Sequence, residues 1–293
     1  MNEYGTMTRL LVAHARDAFG SQAGCDDQWQ DLNFVAAPDF ARAVDDYDVF
    51  LELIASEGAV LEFLGPDPRV SRAERRISLD AIYVRDASLV TPRGVVLCRM
   101  GKAQRATEPG VQRETLSGLG IPVLGTIQPP GKIEGGDVVW FDDHTVAVGR
   151  GYRTNDEGIA QFQTLVGPDV NVFAVPLPHY RGPTDVFHLM SIISPVAHDL
   201  AVVYSPLMPV PFREWLIARG ICLVDVPGEE FETMGANVLA IAPRRCVMVA
   251  GNSVTRGRLE QADATVMEYD GREISLKGGG GPTCLTRPLA RAE

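Results

Sequence analysis

The chain has 293 residues, 45% of them hydrophobic, with five cysteines and a formal net charge of -11. That length lets roughly 75% of the unfolded surface be buried without staples, and an odd cysteine count with no C-x-x-C pair excludes the disulfide framework of small secreted domains and predicts reduced thiols. The acidic balance argues against nucleic acid and permits a small cationic ligand, while the run 10–13 is too short for a signal-peptide core and 200–212, broken by Pro206, Pro209 and Pro211, too short for a membrane span, so a cytoplasmic protein is expected.

A strand over 8–13 opens the chain, Val44, Tyr47, Leu51 and Ile54 stripe a helix, and 59–64 returns as a strand. A hairpin follows over 81–90 and 94–99, with a helical stretch over 105–118 and a strand at 121–124. The next unit pairs 137–141 with 145–149 and ends in a strand at 170–175. Its helix carries Ile159, Phe162 and Val166, and Thr154 with Glu157 three residues on reads as a capping box. A third unit runs 188–195, 200–205, a helix opened by Pro211 and closed by Gly220, then 221–226. The hairpin 237–242 with 245–250 leads through a weakly helical stretch to 264–269, and closing strands are expected at 272–276 and after Cys284.

The hairpins recur at a period of roughly 50 residues, which points to a radial or stacked array of strand, strand, helix, strand units. Five such units would make a ring. A doubly wound α/β sheet remains open at this point, because each strand-helix-strand segment also reads as an ordinary βαβ unit. In a ring, the unit heads would converge and bring distant polar residues to one place.

Polar clusters do fall at corresponding points. Asp80, Tyr83 and Asp86 head one unit, Glu134-Gly135-Gly136-Asp137 the next and His188-Leu189 another, while Gly278, Gly279, Gly280 and Gly281 lead through Pro282 and Thr283 to Cys284. Such a glycine run lets the backbone approach a ligand closely. It lacks the Lys-Ser/Thr of a P-loop, no G-x-G-x-x-G opens a helix, and the five histidines show neither H-E-x-x-H nor a cysteine-paired zinc spacing, so no metal and no cofactor is expected.

With these motifs together the sequence resembles the guanidine-modifying enzymes of the pentein superfamily, which include dimethylarginine dimethylaminohydrolases, arginine deiminases and glycine amidinotransferases. The resemblance rests on Val84-Arg85-Asp86, on Glu134-Gly135-Gly136-Asp137, on the 149–155 segment ending Arg153-Thr154-Asn155, on His188-Leu189, and on the 280–289 run around Cys284. It implies a five-bladed α/β propeller of ββαβ units with pseudo-fivefold symmetry, forming one catalytic domain over 1–293. It further implies a hydrolase that cleaves a C–N bond of arginine or an N-substituted arginine through a covalent thiouronium on Cys284.

The roles that the resemblance carries match what the chemistry demands. Asp86 and Glu134 would take the guanidinium N–H groups in charge-assisted hydrogen bonds. Cys284 would attack as thiolate, its pKa depressed by the cationic substrate and by His188. His188 would protonate the departing amine and then deprotonate the hydrolytic water. Arg105 and Arg153 fall where the family binds the substrate's α-carboxylate, Asp80 and Tyr83 would line the pocket, and Asp137 would brace the Gly-Gly turn.

The match is mixed in detail. Arg85 before Asp86 and the Gly-Gly-Pro before Thr283 look like arginine deiminases, yet Met190 stands where those enzymes carry an Asp, and there is no room for their inserted helical domain. An apolar Met190 suits the border of a substituted guanidine nitrogen, so an N-substituted arginine or related guanidino compound is expected. An arginine deiminase or an amidinotransferase would use the same residues, self-association is left open, and a non-catalytic propeller is the alternative of another class.

Overall fold

The computed structural model describes residues 1–65 and 77–292. Strand β1 (Thr6–Val12) leads through the short helices α1 (Ala15–Phe19) and α2 (Gln22–Gln28) and the longer α3 (Phe40–Ile54) to β2 (Val60–Phe63), which lies parallel to β1. The chain then repeats one plan. β3 (Ser88–Thr91) and β4 (Gly94–Leu97) form a hairpin, α4 (Glu108–Gly118) crosses back, and β5 (Val123–Thr126) joins β4 in parallel. The plan recurs in β6 (Val138–Asp142), β7 (Thr145–Arg150), α5 (Asp156–Val166) and β8 (Asn171–Pro176). It recurs again in β9 (Ile193–Ala197), β10 (Leu200–Val203), α6 (Val210–Ala218) and β11 (Cys222–Asp225). After the one-turn α7 (Gly228–Phe231) come β12 (Leu239–Ala242), β13 (Arg245–Val249), α8 (Ser253–Gln261) and β14 (Thr265–Tyr269). The last strand, β15 (Thr286–Ala292), pairs antiparallel with β1, so both ends of the chain complete a fifth sheet of the same plan.

Every sheet among the described residues has three strands, which removes the doubly wound alternative. The apolar pattern explains the layering. β3, β9, β10 and β12 are buried at every position, as expected for strands covered on both faces, whereas the third strands β2, β5 and β11 are mostly partly exposed. The helices cover the sheets through narrow apolar stripes. In α5, Phe162 and Val166 are buried, with Phe162 packed edge-on against Trp140 of β6. No helix among the described residues is long and apolar enough to cross a membrane, and all five cysteines are free thiols.

Three local expectations differ. The strands expected over 81–90 and 188–195 begin instead as 3-10 turns, Leu79–Ile82 and Leu189–Ser191, and become extended only from Ser88 and Ile193. The segment Arg272–Leu276 is a π-helical turn rather than a strand, because Gly271 at φ 64° swings the chain out of β14 and the Tyr269 hydroxyl meets Ser275 Oγ at 2.8 Å. Asn155, not Thr154, caps α5, accepting from the Gly158 amide; Thr154 is drawn inward to Asp137.

Candidate active site

The heads of the units meet. Asp86 precedes β3, Glu134 precedes β6, His188 precedes β9, Asn237 precedes β12 and Cys284 precedes β15. All five are buried. The ligand atoms of Asp86, Glu134 and His188 lie within 4.8 Å of one another, although these residues lead into strands of three separate sheets. His188, Asn237 and Cys284 line a cavity of about 230 Å³, walled by apolar side chains including Val186, Phe187, Met190 and Leu276.

Glu134 organises the polar side. Its Oε1 accepts from the amides of Gly101 at 2.7 Å and Lys102 at 3.2 Å, while Oε2 meets His188 Nε2 at 2.7 Å and Arg153 Nη1 at 3.2 Å. Burial alone would raise this carboxyl's pKa, but the hydrogen bond and charge of His188, then Arg153 and Arg105, outweigh it and hold Glu134 well below the usual carboxylate range. Burial would likewise disfavour a charged His188. The charges of Asp137 and Asp86 and the bond to Glu134 prevail and push His188 up to about 9. The proton of the pair therefore sits on the imidazole.

The turn chemistry serves this geometry. Asp137 accepts from Thr154 Oγ1 at 2.6 Å and from the Leu189 amide at 2.9 Å, tying the Gly-Gly turn to the histidine segment as well as bracing it. A Cβ on Gly136 would come within 2.5 Å of His188 Nδ1, so only glycine lets the turn pass under the imidazole. The Gly136 amide donates to Asp86 Oδ1 at 3.0 Å.

Because the folded value of His188 lies above the 6.5 of an ordinary histidine, the stability it contributes is whole below pH 6.5 and is lost as pH rises through about 9. Thermal unfolding across that window should show a falling Tm that His188→Gln largely lacks. An equal pH dependence in the variant would refute the assignment.

Cys284 departs from expectation. Burial and the charge of Asp86 push its thiol up to about 11, only partly offset by Thr283, Arg85 and Asn237. The protein's own groups thus keep it a thiol, and the depression expected from His188 is not seen. Asn237 Nδ2 lies 3.7 Å from Sγ, and its Oδ1 accepts from the Thr283 amide at 3.0 Å and the Thr283 hydroxyl at 2.9 Å. Sequence reasoning passed over Asn237, yet its place ahead of the fourth hairpin, matching the other heads, was a usable signal.

Arg105 and Arg153 also stand differently from the free carboxylate clamps expected. Arg105 Nη1 is 2.5 Å from Asp86 Oδ2, its remaining nitrogens bind Glu108 and the carbonyls of Asp80 and Tyr83, and Arg153 is paired to Glu134. Neither lines the cavity. Buried carboxylates in a low dielectric need counter-ions, and these two arginines supply them. Asp80 is similarly committed to Lys102 at 2.6 Å, away from the cavity. Tyr83 packs beneath the glycine run, donating to the Ile274 carbonyl at 3.1 Å; a Cβ on Gly280 would sit 2.5 Å from its ring. At the cavity rim the charged pair Arg181–Glu232, at 2.6 Å, and Asp185 were not anticipated.

Asp86, Glu134 and His188 could in principle hold a metal ion. Arg105, Arg153 and the protonated imidazole already neutralise that charge, so a divalent cation would meet three cations at its coordination shell, whereas a planar monocation needs only to exchange with one of them.

Residues 41–291 match the profile of the family described as N,N dimethylarginine dimethylhydrolase, eukaryotic. The N(G),N(G)-dimethylarginine dimethylaminohydrolase of Streptomyces coelicolor is 30% identical over 213 residues, 72% of each chain, and that of Pseudomonas aeruginosa is 25% identical over 253 residues, 85% of this chain and 89% of the other. The Pseudomonas aeruginosa enzyme in complex with citrulline has a similar fold, with a TM-score of 0.75 at 22% identity over 96% of this chain and 98% of that one. With a family match that spans most of its length, a 30% identical relative aligned over 72% of each chain and a shared fold, the chain belongs to the dimethylarginine dimethylaminohydrolase family of the guanidine-modifying pentein superfamily.

Proposed function

We propose that the protein hydrolyses a C–N bond of an N-substituted arginine or a closely related guanidino compound, giving a ureido product and an amine. The observation that carries this reading is a thiol and an imidazole opening on one cavity, with two buried carboxylates behind the imidazole. We also infer that the five sheets close as the blades of one five-bladed propeller with pseudo-fivefold symmetry, a single domain over 1–293. The pairing of β1 with β15 and the convergence of the five heads support that closure.

The guanidinium enters beside Cys284 and takes Asp86 as its anionic partner. Arg105 can yield Asp86 because Glu108 still holds it at 2.8 Å. A cation next to Sγ offsets the penalty that burial places on the thiolate, so the thiol loses its proton to solvent only once substrate is bound. The sulfur adds to the guanidinium carbon. His188, protonated at neutral pH, gives its proton to the departing amine as that C–N bond breaks, leaving a thiouronium on sulfur and a neutral imidazole. The imidazole then takes one proton from water as it attacks, and as the thiolate departs from the tetrahedral carbon the second proton of that water passes to the sulfur, leaving the ureido product and the resting thiol. Glu134 keeps the ring oriented and its charge favourable throughout. Asn237 holds the thiol segment through Thr283, and Met190 offers an apolar wall to a substituent on the leaving nitrogen.

Incubation with arginine, its N-methylated forms and other guanidino compounds, with assay of ureido product and released amine, tests the reading. An N-methylated arginine should exceed arginine in kcat/KM by ~10-fold or more, the scale on which an apolar wall discriminates one or two methyl groups. A preference for unsubstituted arginine would refute the substituent assignment. Transfer of the amidino group to an added amine would replace hydrolysis by amidinotransfer, and the appearance of neither a ureido product nor a new guanidino product from any compound would refute both.

A further inference from the structure

Behind the catalytic floor lies a second polar cluster to which the chemistry above assigns no task. Arg85 and Arg287 are 1% and 5% exposed, and they gather with Arg291 around one buried carboxylate, Glu3. Arg85 Nη1 meets Glu3 Oε2 at 3.1 Å, Arg85 Nε donates to the Thr283 carbonyl at 2.9 Å, and Arg287 Nη2 donates to the Arg85 carbonyl. Arg291 Nη1 is spent on the carbonyls of Gly5 and Ala240. That leaves Arg85 Nη2, Arg287 Nε, and both Nε and Nη2 of Arg291 buried without any hydrogen-bond acceptor among the described residues.

Three guanidinium groups thus face one carboxylate. Asp86, on the active-site side, is taken by Arg105. Arginine does not shed its proton to relieve such crowding, and buried N–H donors on a cation are costly to leave unmet. Burial and the neighbouring Arg85 push Arg287 down to about 9, and burial pushes Arg291 down to about 10 against the pull of Glu3, the direction expected where positive charge is under-compensated. The three side chains border a small pocket of about 20 Å³, which they share with Val90, Trp140 and Pro288. Room of that size admits one or two water-sized spheres, too little for sulfate, phosphate or a substrate carboxylate with its chain.

We propose that this cavity is a binding site for a monatomic anion, chloride under ordinary conditions, held by the unmet N–H groups of Arg85, Arg287 and Arg291. The site is structural rather than catalytic. Arg85 adjoins Asp86 and holds the carbonyl before Cys284, and Arg287 packs behind Gly135, where a Cβ would collide with the Arg85 carbonyl. The anion would therefore tie together, from behind, the segments carrying Asp86, Glu134 and Cys284.

Thermal unfolding of the full chain at constant ionic strength, with chloride exchanged stepwise for gluconate, tests this. Because an anion that binds the folded state alone stabilises it by mass action, Tm should rise saturably by a few degrees with chloride. The rise should vanish in Arg291→Met and grow in Glu3→Gln, where the carboxylate paired with Arg85 is neutral. A crystal soaked in bromide should show an anomalous peak within contact of the unmet nitrogens. Equal Tm in both salts, an unchanged chloride response in Arg291→Met, or no bromide in the cavity would each overturn the proposal. Should Arg291→Met not fold, the opposite response of Glu3→Gln and the bromide peak still decide it.

Discussion

Cys284→Ser is expected to lower turnover of any guanidino substrate by ~10^4-fold or more, the scale on which loss of a nucleophile acts, while leaving the fold intact. The second half of this expectation follows from the surroundings of the sulfur. Its polar contacts are long, 3.7 Å to Asn237 and 3.9 Å to the Thr283 hydroxyl, and the Thr283–Asn237 bonds that fix the segment do not involve it. A serine hydroxyl can accept from the same donors. What it cannot do is ionise: burial already pushes the thiol up to about 11, and the same burial would put an alkoxide beyond the help of a bound cation. Mass spectrometry of quenched turnover should show a covalent adduct on the wild type and none on the variant. Undiminished activity in Cys284→Ser would remove the proposed nucleophile altogether.

Glu134→Gln should be the next most damaging change, with a loss of ~10^2 to 10^4-fold, the range in which general acid–base catalysis contributes. The side chain is isosteric, but the position of its amino group is wrong. With its oxygen kept on the Gly101 and Lys102 amides, the amide nitrogen faces His188 Nε2 and Arg153 Nη1, both of which now donate to Oε2. Donor meets donor, and Arg153 is left as a buried cation without its partner, a fault that typically costs about 3 to 5 kcal/mol. His188 must carry a proton to expel the amine, and Glu134 is one of the carboxylates that keep it protonated up to about 9. The alkaline limb of the pH–rate profile should therefore move to lower pH in the variant. A profile unchanged in position would show that the imidazole's proton affinity is set elsewhere.

Much of this organisation was legible in the residues themselves. Hairpins such as 94–97 against 88–91 announce themselves through alternating turns and buried β-branched runs, and their regular recurrence placed Asp86, Glu134, His188 and Cys284 at equivalent points before any coordinates. The heads themselves were misread as strand because apolar residues such as Leu79, Ile82 and Leu189 are buried in 3-10 turns as fully as in a strand, and a run of three or four residues has no period to tell the two apart. Thr154 followed by Glu157 satisfies the pattern of a helix cap, but the buried Asp137, whose second oxygen needs a donor, exerts the stronger claim on that hydroxyl. The commitment of Arg105 to Asp86 and Glu108 was illegible for a different reason. Which of many opposite charges a buried arginine selects depends on distances that spacing along the chain does not encode. The inert state of the Cys284 thiol belongs to the same class, since burial has no local signature.

The nucleophile's strand, β15, finds its antiparallel mate in β1, from the opposite extremity of the polypeptide. During synthesis β1 must wait for β15, and the loop that their meeting closes is among the longest formed by the described residues. Until then the sulfur has neither its floor of arginines nor its imidazole. Assembly of the site therefore waits on a contact between segments far apart in sequence, the kind that forms late in folding.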